Sequence, residues 1–369
     1  MKYYIIAGEA SGDLHGSHLI NALRAEDPEA EIRCWGGDKM AAAGGHVVKH
    51  IRDLAFMGFV EVIKHLPTIF SNLDFCKKDI LSYSPDVVIL IDYPGFNFRM
   101  FKFIKQHNFQ LFYYISPQLW AWKSSRVKQV KQYVDRMFVI FPFEKEFYAK
   151  HEVEVDFVGH PLLDELQSNL VSEPEPIIAL LPGSRKQVVS YLLPEYLKVI
   201  PHFPNYKFVI AGVSSLKEEF YKNLIGKASC EIVWDDTYSL LQKSSAAIVT
   251  SGTATLETAL FNVPEVVCYK ASPLSYWLAK RLVKGIDYIC IVNLIAGKKV
   301  VTELLQGDVN KDRLVVELKS LLNPTTKEKT IQDYHQVREL LGDAGASSRA
   351  ANLMIGYIRK LQSPIKKEV

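Results

Sequence analysis

Short runs of apolar residues alternate with longer amphipathic stretches along nearly the whole of this 369-residue chain. The runs are continuously apolar, as in parallel strands that are covered on both faces. The predicted strands are residues 3–7, 87–91, 111–115 and 137–141 in the first half and residues 177–181, 208–211, 246–250 and 265–269 in the second. Helical patterns, including residues 14–24, 60–83 and 96–107, lie between them. This β-α-β-α order predicts α/β domains with doubly wound parallel sheets.

A proline-rich acidic break divides the pattern into two series. Residues 168–176 carry Pro174 and Pro176 among acidic residues, a composition typical of a linker. The length also suits two domains of about 150–200 residues each. We therefore predict a Rossmann-like domain over residues 1–170, a second over residues 176–341, and a ligand cleft at their strand ends. The last predicted helix, residues 347–361, follows a Gly-rich turn, and packing back onto the first domain is one arrangement open to it.

Composition argues against several classes of protein. The net charge is only +3, so the chain as a whole gives no case for nucleic-acid binding. The five cysteines are far apart and include no Cys-x-x-Cys pair, which favours a reducing compartment over a disulfide framework or a zinc site. The N-terminal apolar run is broken too soon by Gly8 and Glu9 for a signal peptide, and no run approaches the ~18 residues that cross a bilayer. We therefore expect a cytoplasmic protein, which does not exclude contact with a membrane surface.

A first candidate site lies where the strand at residues 177–181 is expected to end. Gly183 lets the backbone approach an anion closely, and Ser184 can cap a helix or donate to a phosphate oxygen. Arg185 adds a bidentate positive charge. The alternative is an ordinary turn between strand and helix with a surface arginine.

A second candidate site follows the strand at residues 246–250. Ser251, Gly252 and Thr253 offer compact donors at a helix N-terminus, where a phosphate binds well. Glu257 lies one turn beyond Thr253, and its carboxylate can accept hydrogen bonds from both hydroxyls of a ribose. The alternative is helix capping, with Glu257 favoured only by the helix dipole. Two such turns in one domain favour a nucleotide ligand.

Polar residues also follow two predicted strands of the first domain. Asp92 ends the strand at residues 87–91 and is a candidate general base, although an N-cap before Pro94 explains it nearly as well. The segment after the first strand is not Gly-x-Gly-x-x-Gly, so it gives no support to dinucleotide binding. Its small and polar residues are predicted to contact a substrate; they are Glu9, Ser11, Gly12 and Asp13.

Three further features each have two interpretations. His15 and His18 are three residues apart, as metal ligands can be, but core or solvated histidines are the better interpretation without a third ligand. Trp120 follows another strand and either lines the cleft or packs in the core. An apolar stretch rimmed by basic residues either touches a membrane or acyl chains, or forms a domain or dimer contact. Its candidate residues are Phe56, Met57, Phe59, Val60 and Ile63.

Together these blocks resemble the lipid-A-disaccharide synthases, which are glycosyltransferases of the GT-B type with two Rossmann-like domains. The resemblance runs along almost the whole chain, and the number, order and spacing of the blocks make it specific. The blocks are residues 8–16, 36–40, 57–62, 91–97, 116–122, 141–144, 158–162, 181–185, 250–257 and 292–296.

The resemblance implies inverting transfer of 2,3-diacylglucosamine from its UDP conjugate to the 6-hydroxyl of 2,3-diacylglucosamine 1-phosphate, which yields a β-1,6-linked disaccharide and UDP. Asp92 would deprotonate the acceptor, and Arg185 with the helix N-termini would stabilise the leaving phosphate. Glu257 would hold the ribose, while Asn293 and Glu303 are expected near the nucleotide. Because both substrates carry acyl chains, the resemblance also implies a peripheral protein on the cytoplasmic face of the inner membrane.

Two details refine what the resemblance implies. The chain contains no Asp-x-Asp pair, which glycosyltransferases that hold a diphosphate through Mg²⁺ or Mn²⁺ usually need, so we expect neither metal nor cofactor. Many members of the family have Ala-Pro-Asp-Phe-Asn after the aspartate, where this chain has Tyr-Pro-Gly-Phe-Asn. The role of base therefore rests on Asp92 alone.

Two alternatives to a synthase are consistent with the sequence. A UDP-N-acetylglucosamine 2-epimerase would share the domain plan and the nucleotide turns, although residues 8–16, residues 91–97 and the apolar stretch argue against it. A non-catalytic UDP-sugar-binding membrane scaffold would retain the fold, although intact Asp92, Arg185 and Glu257 argue against loss of the site.

Overall fold

The computed structural model describes residues 1–54, 66–120, 124–166, 173–272, 276 and 287–362. The chain forms two compact units. Unit 1 comprises Met1–Glu165 together with Asp343–Val369, and unit 2 comprises Leu166–Gly342.

Unit 1 is built on a seven-stranded parallel sheet with the order β3-β2-β1-β4-β5-β6-β7. Its strands are β1 (Lys2–Ile6), β2 (Glu31–Gly36), β3 (His46–His50), β4 (Val87–Ile91), β5 (Gln110–Tyr114), β6 (Arg136–Val139) and β7 (Asp156–Phe157). The helices that connect and follow these strands are α1 (Ala10–Glu26), α2 (Asp38–Ala42), α3 (Leu66–Tyr83), α4 (Pro94–Gln106), α5 (Val127–Tyr133), α6 (Pro142–Ala149) and α7 (Leu162–Glu165), with 3₁₀ turns at Ile51–Asp53 and Ser124–Arg126.

The central strand β4 shows why the apolar runs become strands. All five of its residues are buried, and it pairs with β1 on one side and β5 on the other. Side chains alternate between the two faces of a strand, so Val88 and Leu90 enter one core while Val87 and Ile89 enter the opposite one. A strand covered on both faces needs apolar residues at every position, which is the pattern observed.

Unit 2 is built on a six-stranded parallel sheet with the order β10-β9-β8-β11-β12-β13. Its strands are β8 (Ile177–Leu181), β9 (Lys207–Gly212), β10 (Glu231–Trp234), β11 (Ala246–Thr250), β12 (Glu265–Tyr269) and β13 (Thr302–Leu305). Its helices are α8 (Lys186–Leu197), α9 (Glu218–Ile225), α10 (Thr237–Lys243), α11 (Thr253–Leu260), α12 (Ile291–Ala296), α13 (Lys311–Leu321) and α14 (Pro324–Leu341), with 3₁₀ turns at Ile200–His202 and Gln306–Asp308.

The last helix, α15 (Ala346–Gln362), belongs to unit 1 and packs against α1. Asp164 holds its start: one carboxylate oxygen accepts hydrogen bonds from the backbone N–H groups of Gly345 (2.5 Å) and Ala346 (3.2 Å), and the other accepts from Ser347 (3.3 Å). A side chain from a distant part of the chain thus satisfies donors that a helix N-terminus leaves without intrahelical partners.

The predicted fold class is confirmed, and each of the eight predicted strands is present with ends that differ by at most two residues. The apolar pattern does not indicate β2, β3, β7, β10 or β13. Four of these, β3, β7, β10 and β13, are the edge strands of the two sheets. An edge strand has one side without a neighbour and tolerates polar residues, so its sequence lacks the continuous apolar run. None of the helices in the described part of the chain is long and apolar enough to span a membrane.

Candidate functional site

The two predicted phosphate-binding turns lie side by side in unit 2. β8 and β11 are neighbours in the sheet and run parallel, so their carboxyl ends reach the same edge. A cavity of about 350 Å³ opens there, a size typical of small-molecule sites. Its lining residues are Leu181, Gly183, Ser184, Arg185, Val188, Ala211, Val213, Thr237, Thr250, Ser251, Gly252, Thr253, Ala254 and Glu257.

Gly183 shapes the first turn. Its φ of +93° lies in the left-handed region that favours glycine, and a Cβ here would lie 3.4 Å from Val188 and 3.5 Å from Thr250. The chain then leaves the turn through Ser184 and enters α8 after Arg185, which is its N-cap residue. Both side chains are exposed at the cavity, where a hydroxyl and a guanidinium suit an anionic ligand.

The second turn brings the start of α11 to the cavity. The amide of Ser251 donates to the carbonyl of Cys268 (2.9 Å), so this residue still belongs to the sheet edge. Thr255 donates its hydroxyl to the carbonyl of Gly252 (2.8 Å) and closes the first helical turn. Thr253 and Glu257 lie one turn apart and both line the cavity. The N-terminus of a helix attracts negative charge, and a carboxylate is an acceptor for the hydrogen bonds of hydroxyl groups.

The cavity also contains residues that the sequence did not single out. Thr237, Ala211 and Val213 line it from the carboxyl ends of β9 and β10. The parallel arrangement of the strands is the signal that could have found them, because residues just beyond any strand of such a sheet reach the same edge.

Asn293 and Glu303 are not among the described residues that line this cavity. The amide nitrogen of Asn293 donates to the carbonyl of Val301 (3.0 Å) and to Glu303 (2.8 Å), and its amide oxygen accepts from the backbone of Val300 (2.7 Å) and Val301 (2.9 Å). All four hydrogen-bonding positions of a buried amide are therefore used. Direct contact of Asn293 with a nucleotide, as the resemblance implies, would require the release of one of these bonds.

Asp92 lies where β4 ends in unit 1, and its backbone has an uncommon conformation. Asp92 (φ +40°) and Tyr93 (φ +47°) both adopt left-handed φ values, each of which costs a non-glycine residue roughly 1–2 kcal/mol. Two side chains hold this turn: the Asp92 carbonyl accepts hydrogen bonds from the Asn97 amide (2.7 Å) and from the Tyr113 hydroxyl. Backbone strain of this kind persists where the surroundings hold it, often at functional sites.

The carboxyl of Asp92 has a raised pKa. Burial is the main cause, the negative charge of Glu9 adds to it, and a hydrogen bond from the backbone of Tyr93 opposes it; the resulting pKa is about 6. A carboxylate with this pKa is ionised at neutral pH and is a stronger base than an ordinary aspartate.

The segment after β1 reaches the same sheet edge as Asp92, because β1 and β4 are paired. Glu9 and Ser11 are exposed there. Gly12 is buried in α1, and a Cβ there would lie 3.1 Å from that of Ala7. This close packing of α1 on the strand explains the small residue.

Asp13 lies in the same helix but binds protein backbone. Its carboxylate accepts hydrogen bonds from the N–H groups of Gly37 (2.6 Å), Lys39 (3.1 Å) and Met40 (3.1 Å). Asp13 is buried and satisfies the start of α2, so the structure gives it a supporting role. Contact with a substrate, which the sequence suggests, would compete with these three bonds.

Trp120 lies after β5 and is partly exposed. Its ring meets Phe143 edge-on at a centroid distance of 5.0 Å, and Phe143 is stacked on Phe141. Its indole N–H has no hydrogen-bond partner within the described ranges. The candidate membrane residues Phe56, Met57, Phe59, Val60 and Ile63 lie outside the described residues.

His15 lies in α1, and burial lowers its pKa to about 4, with the neighbouring His18 as the next cause. Within the part of the chain that is described, no group of three or more His, Cys, Asp or Glu side chains is suited to hold a metal ion. A buried neutral imidazole is the ordinary state of a core histidine.

Solved structures similar to this chain have a GT-B-like fold. The S. aureus MnaA–UDP co-structure has a TM-score of 0.70 at 14% identity and covers 98% of both chains. A putative UDP-N-acetylglucosamine 2-epimerase from Listeria monocytogenes has a TM-score of 0.66 at 14% identity over 97% of each chain. The glycotransferase of kitacinnamycin also has a TM-score of 0.66, at 15% identity over 96% of this chain and 98% of its own. At these identities the likeness concerns the fold alone.

Sequence comparison goes further than fold. A family model described as Lipid-A-disaccharide synthetase matches residues 3–355. The lipid-A-disaccharide synthase of Syntrophus aciditrophicus is 39% identical over 374 residues, which is 96% of this chain and 97% of the relative. Those of Geobacter sulfurreducens (37%, covering 97% of this chain and 98% of the relative) and Myxococcus xanthus (34%, covering 96% and 97%) are similar over the same extent. This chain belongs to the lipid-A-disaccharide synthase family.

Proposed function

We propose that the protein transfers 2,3-diacylglucosamine from its UDP conjugate to the 6-hydroxyl of 2,3-diacylglucosamine 1-phosphate, with inversion and without a metal ion. The products are a β-1,6-linked disaccharide 1-phosphate and UDP. The observation that carries the proposal is the cavity of unit 2. In a chain of this family, it brings together every predicted donor residue of the two phosphate-binding turns.

Unit 2 binds the UDP-sugar in this proposal. The start of α11 and the Arg185 guanidinium neutralise the diphosphate, while Glu257 accepts hydrogen bonds from the ribose. As UDP leaves, negative charge grows on its phosphate, and groups already oriented toward that charge stabilise the transition state. The S. aureus MnaA–UDP co-structure, which has a similar fold, is consistent with this assignment.

Asp92 of unit 1 is the proposed general base. It takes the proton of the acceptor 6-hydroxyl while the oxygen attacks the anomeric carbon, so one bond forms as the bond to UDP breaks. The raised pKa of about 6 leaves Asp92 ionised at neutral pH and improves its strength as a base. Glu9 and Ser11, exposed beside it, are the proposed acceptor contacts.

We further propose a peripheral position on the cytoplasmic face of the inner membrane. Both proposed substrates carry acyl chains, and the predicted apolar stretch, residues 54–64, lies just before α3 in sequence. On that helix Phe70 is 60% exposed and Phe75 is 43% exposed, and such large apolar side chains favour an apolar surface. Replacing Phe70 with Asp should weaken flotation with anionic vesicles; unchanged flotation would favour a contact between copies of the chain or between its domains.

The two alternatives differ from the proposal in measurable ways. The epimerases of similar fold are only 11–14% identical to this chain, whereas the synthases are 34–39% identical. An epimerase would convert its UDP-sugar without an acceptor, and a scaffold would bind the sugar nucleotide without turnover.

The deciding experiment measures UDP release from UDP-2,3-diacylglucosamine in EDTA, with and without the monosaccharide phosphate acceptor. Release that depends on the acceptor, together with a lipid disaccharide of β configuration, is the expected result. Loss of all activity in EDTA that Mg²⁺ restores would overturn metal independence. If no UDP is released with or without the acceptor, even when Mg²⁺ is present, the synthase proposal fails. The epimerase and the scaffold then remain as interpretations.

A further inference from the structure

The main-chain carbonyl of Asp92 accepts hydrogen bonds from two side chains: Asn97, on the helix that follows it, and Tyr113, on the neighbouring strand β5. We propose that Asn97 and Tyr113 are positioning residues, which fix the direction of the Asp92 carboxyl by holding this carbonyl. The inference rests on the proposed function of Asp92 as general base and extends it to two residues that would not touch the substrate.

The first holding contact comes from α4. The Asn97 amide nitrogen lies 2.7 Å from the Asp92 carbonyl oxygen and 3.5 Å from that of Ile91. The Asn97 backbone N–H also donates to the Tyr93 carbonyl (3.1 Å). Asn97 thus ties the start of α4 back to both residues that have left-handed φ values.

The second contact comes from β5. Tyr113 is fully buried, and its hydroxyl donates to the same Asp92 carbonyl. Because β5 pairs with β4 through Leu90 and Tyr113, the sheet register places this hydroxyl next to the end of β4. The Asp92 amide completes the arrangement by donating to the Tyr114 carbonyl (3.3 Å).

The buried amide of Asn97 costs folding free energy. Asn97 has no solvent exposure, and its amide oxygen has no hydrogen-bond partner within the described residues. A buried acceptor without a partner destabilises the folded state, and an apolar side chain of similar size would avoid this penalty. The donor half of the amide, which bonds to Asp92, explains why a polar residue occupies this position.

Holding the carbonyl determines where the carboxyl points. The peptide plane between Asp92 and Tyr93 is fixed by the two donors, and with it the direction of the Asp92 Cα–Cβ bond. If either donor is removed, the left-handed turn can relax and the carboxyl shifts relative to the acceptor. A misplacement of about 1 Å can lower turnover roughly 100-fold, while ground-state binding of the donor nucleotide changes little.

Tyr113→Phe is the sharpest test, because it removes one oxygen atom from a buried ring. Tyr114→Phe is its matched control: Tyr114 is also fully buried, lies on the opposite face of β5, and has its hydroxyl 3.5 Å from Ser347. We expect Tyr113→Phe to lower kcat by roughly 10- to 100-fold with the KM for the UDP-sugar unchanged. Tyr114→Phe should retain kcat even if it lowers the melting temperature as much.

The action through Asp92 is tested in a double-mutant cycle. If Tyr113 works only by orienting Asp92, then Tyr113→Phe has no further effect on kcat once Asp92→Asn is present. An equal loss in both backgrounds would overturn the inference, because it would show a role independent of Asp92. Asn97→Ala is tested in a second cycle with Asp92→Asn. If Asn97→Ala does not fold, the cycle with Tyr113→Phe alone tests the inference.

The results separate this inference from the proposed function. If Asp92→Asn lowers kcat but Tyr113→Phe and folded Asn97→Ala leave it unchanged, the general base stands and the positioning role is wrong. If Asp92→Asn itself retains full kcat, the assignment of the base fails, and the positioning role fails with it.

Discussion

The ring of Tyr93 lies directly on Gly8. A Cβ on Gly8 would come within 2.3 Å of the ring atoms Cδ1 and Cγ of Tyr93, a separation that real side chains do not adopt. Gly8 follows β1, and Tyr93 follows Asp92 at the end of the neighbouring strand β4. The absence of a side chain at Gly8 therefore lets the turn that carries Asp92 pack against the end of β1.

Replacement of Gly8 with Ala should displace the Tyr93 ring and with it the Asp92 turn. We expect a loss of kcat of roughly 10-fold or more, since small misplacements of a catalytic group are costly. Gly95→Ala is the matched control, because a Cβ at Gly95 meets no described atom within 4 Å. Steady-state kinetics check the pair, and equal activity of both variants would contradict the role of this contact.

The raised pKa of Asp92 predicts an acid limb in the pH profile. The active form of a general base is deprotonated, so kcat/KM should fall as the pH drops below about 6. Glu9 contributes to the raised pKa through its negative charge, and Glu9→Gln should move the acid limb to lower pH. Glu9 is the N-cap residue of α1, and Glu26→Gln, at the exposed far end of that helix, should leave the limb in place. If the acid limb does not shift in Glu9→Gln, the limb reports the titration of a group other than Asp92.

The same pKa predicts how stability depends on pH. The folded-state pKa of Asp92 lies above the ordinary value of 3.8, so folding favours the protonated carboxyl. This contribution to stability is present below about pH 4 and is lost as the pH rises through about 6. Asp92→Asn should therefore melt at a higher temperature than the parent at pH 7.5, with a smaller difference at pH 4. Melting curves at both pH values check this, and a less stable Asn variant at pH 7.5 would contradict it.

Glu257 is predicted to bind the ribose of UDP. Hydrogen bonds to a charged group contribute about 1.5–3 kcal/mol, so Glu257→Gln should weaken UDP binding by roughly 10- to 100-fold. Glu219→Gln, an exposed change on α9 of the same unit, is the control. Calorimetric titration with UDP measures both affinities. Unchanged affinity in the Glu257 variant would favour a capping role for this residue.

Asp164 is predicted to hold α15 in unit 1. Asp164→Ala removes three hydrogen bonds to the helix start, and we expect a loss of about 1–3 kcal/mol in the free energy of unfolding. Asp343→Ala changes an exposed carboxylate just before the same helix and serves as the control. Urea unfolding followed by tryptophan fluorescence measures the difference, and equal stability of the two variants would exclude the capping role.

The candidate site shows which residues a linear pattern can find. The pattern predicts Gly183, Arg185, Thr253 and Glu257 because they follow two predicted strands near helix starts, and such positions meet at one edge of a parallel sheet. All four line the cavity of unit 2. Their position depends on the residues next to them in sequence, namely the strand before and the helix after, and these can be predicted from the sequence directly.

Asp13 and Asn293 show the limit of such reasoning. Both are polar residues in blocks that resemble the family, yet their side chains bond to backbone groups elsewhere in the fold. The partners of Asp13 lie 24 to 27 residues away in sequence, and only the packing of α1 against β2 and α2 brings them together. A polar residue near a site can therefore serve the scaffold, and its type alone does not distinguish the two roles.

By itself the sequence determined the α/β class, every interior strand except β2, and the two turns of the unit 2 cavity, because apolar periodicity and glycine conformations are local properties. The tertiary structure alone decided the edge strands, the return of α15 to unit 1 and the raised pKa of Asp92. Each of these depends on what surrounds a residue: a neighbouring strand, a distant carboxylate at a helix start, or burial beside Glu9. Burial and charge at one position are set by segments far away in sequence, so they exist only once the chain has folded.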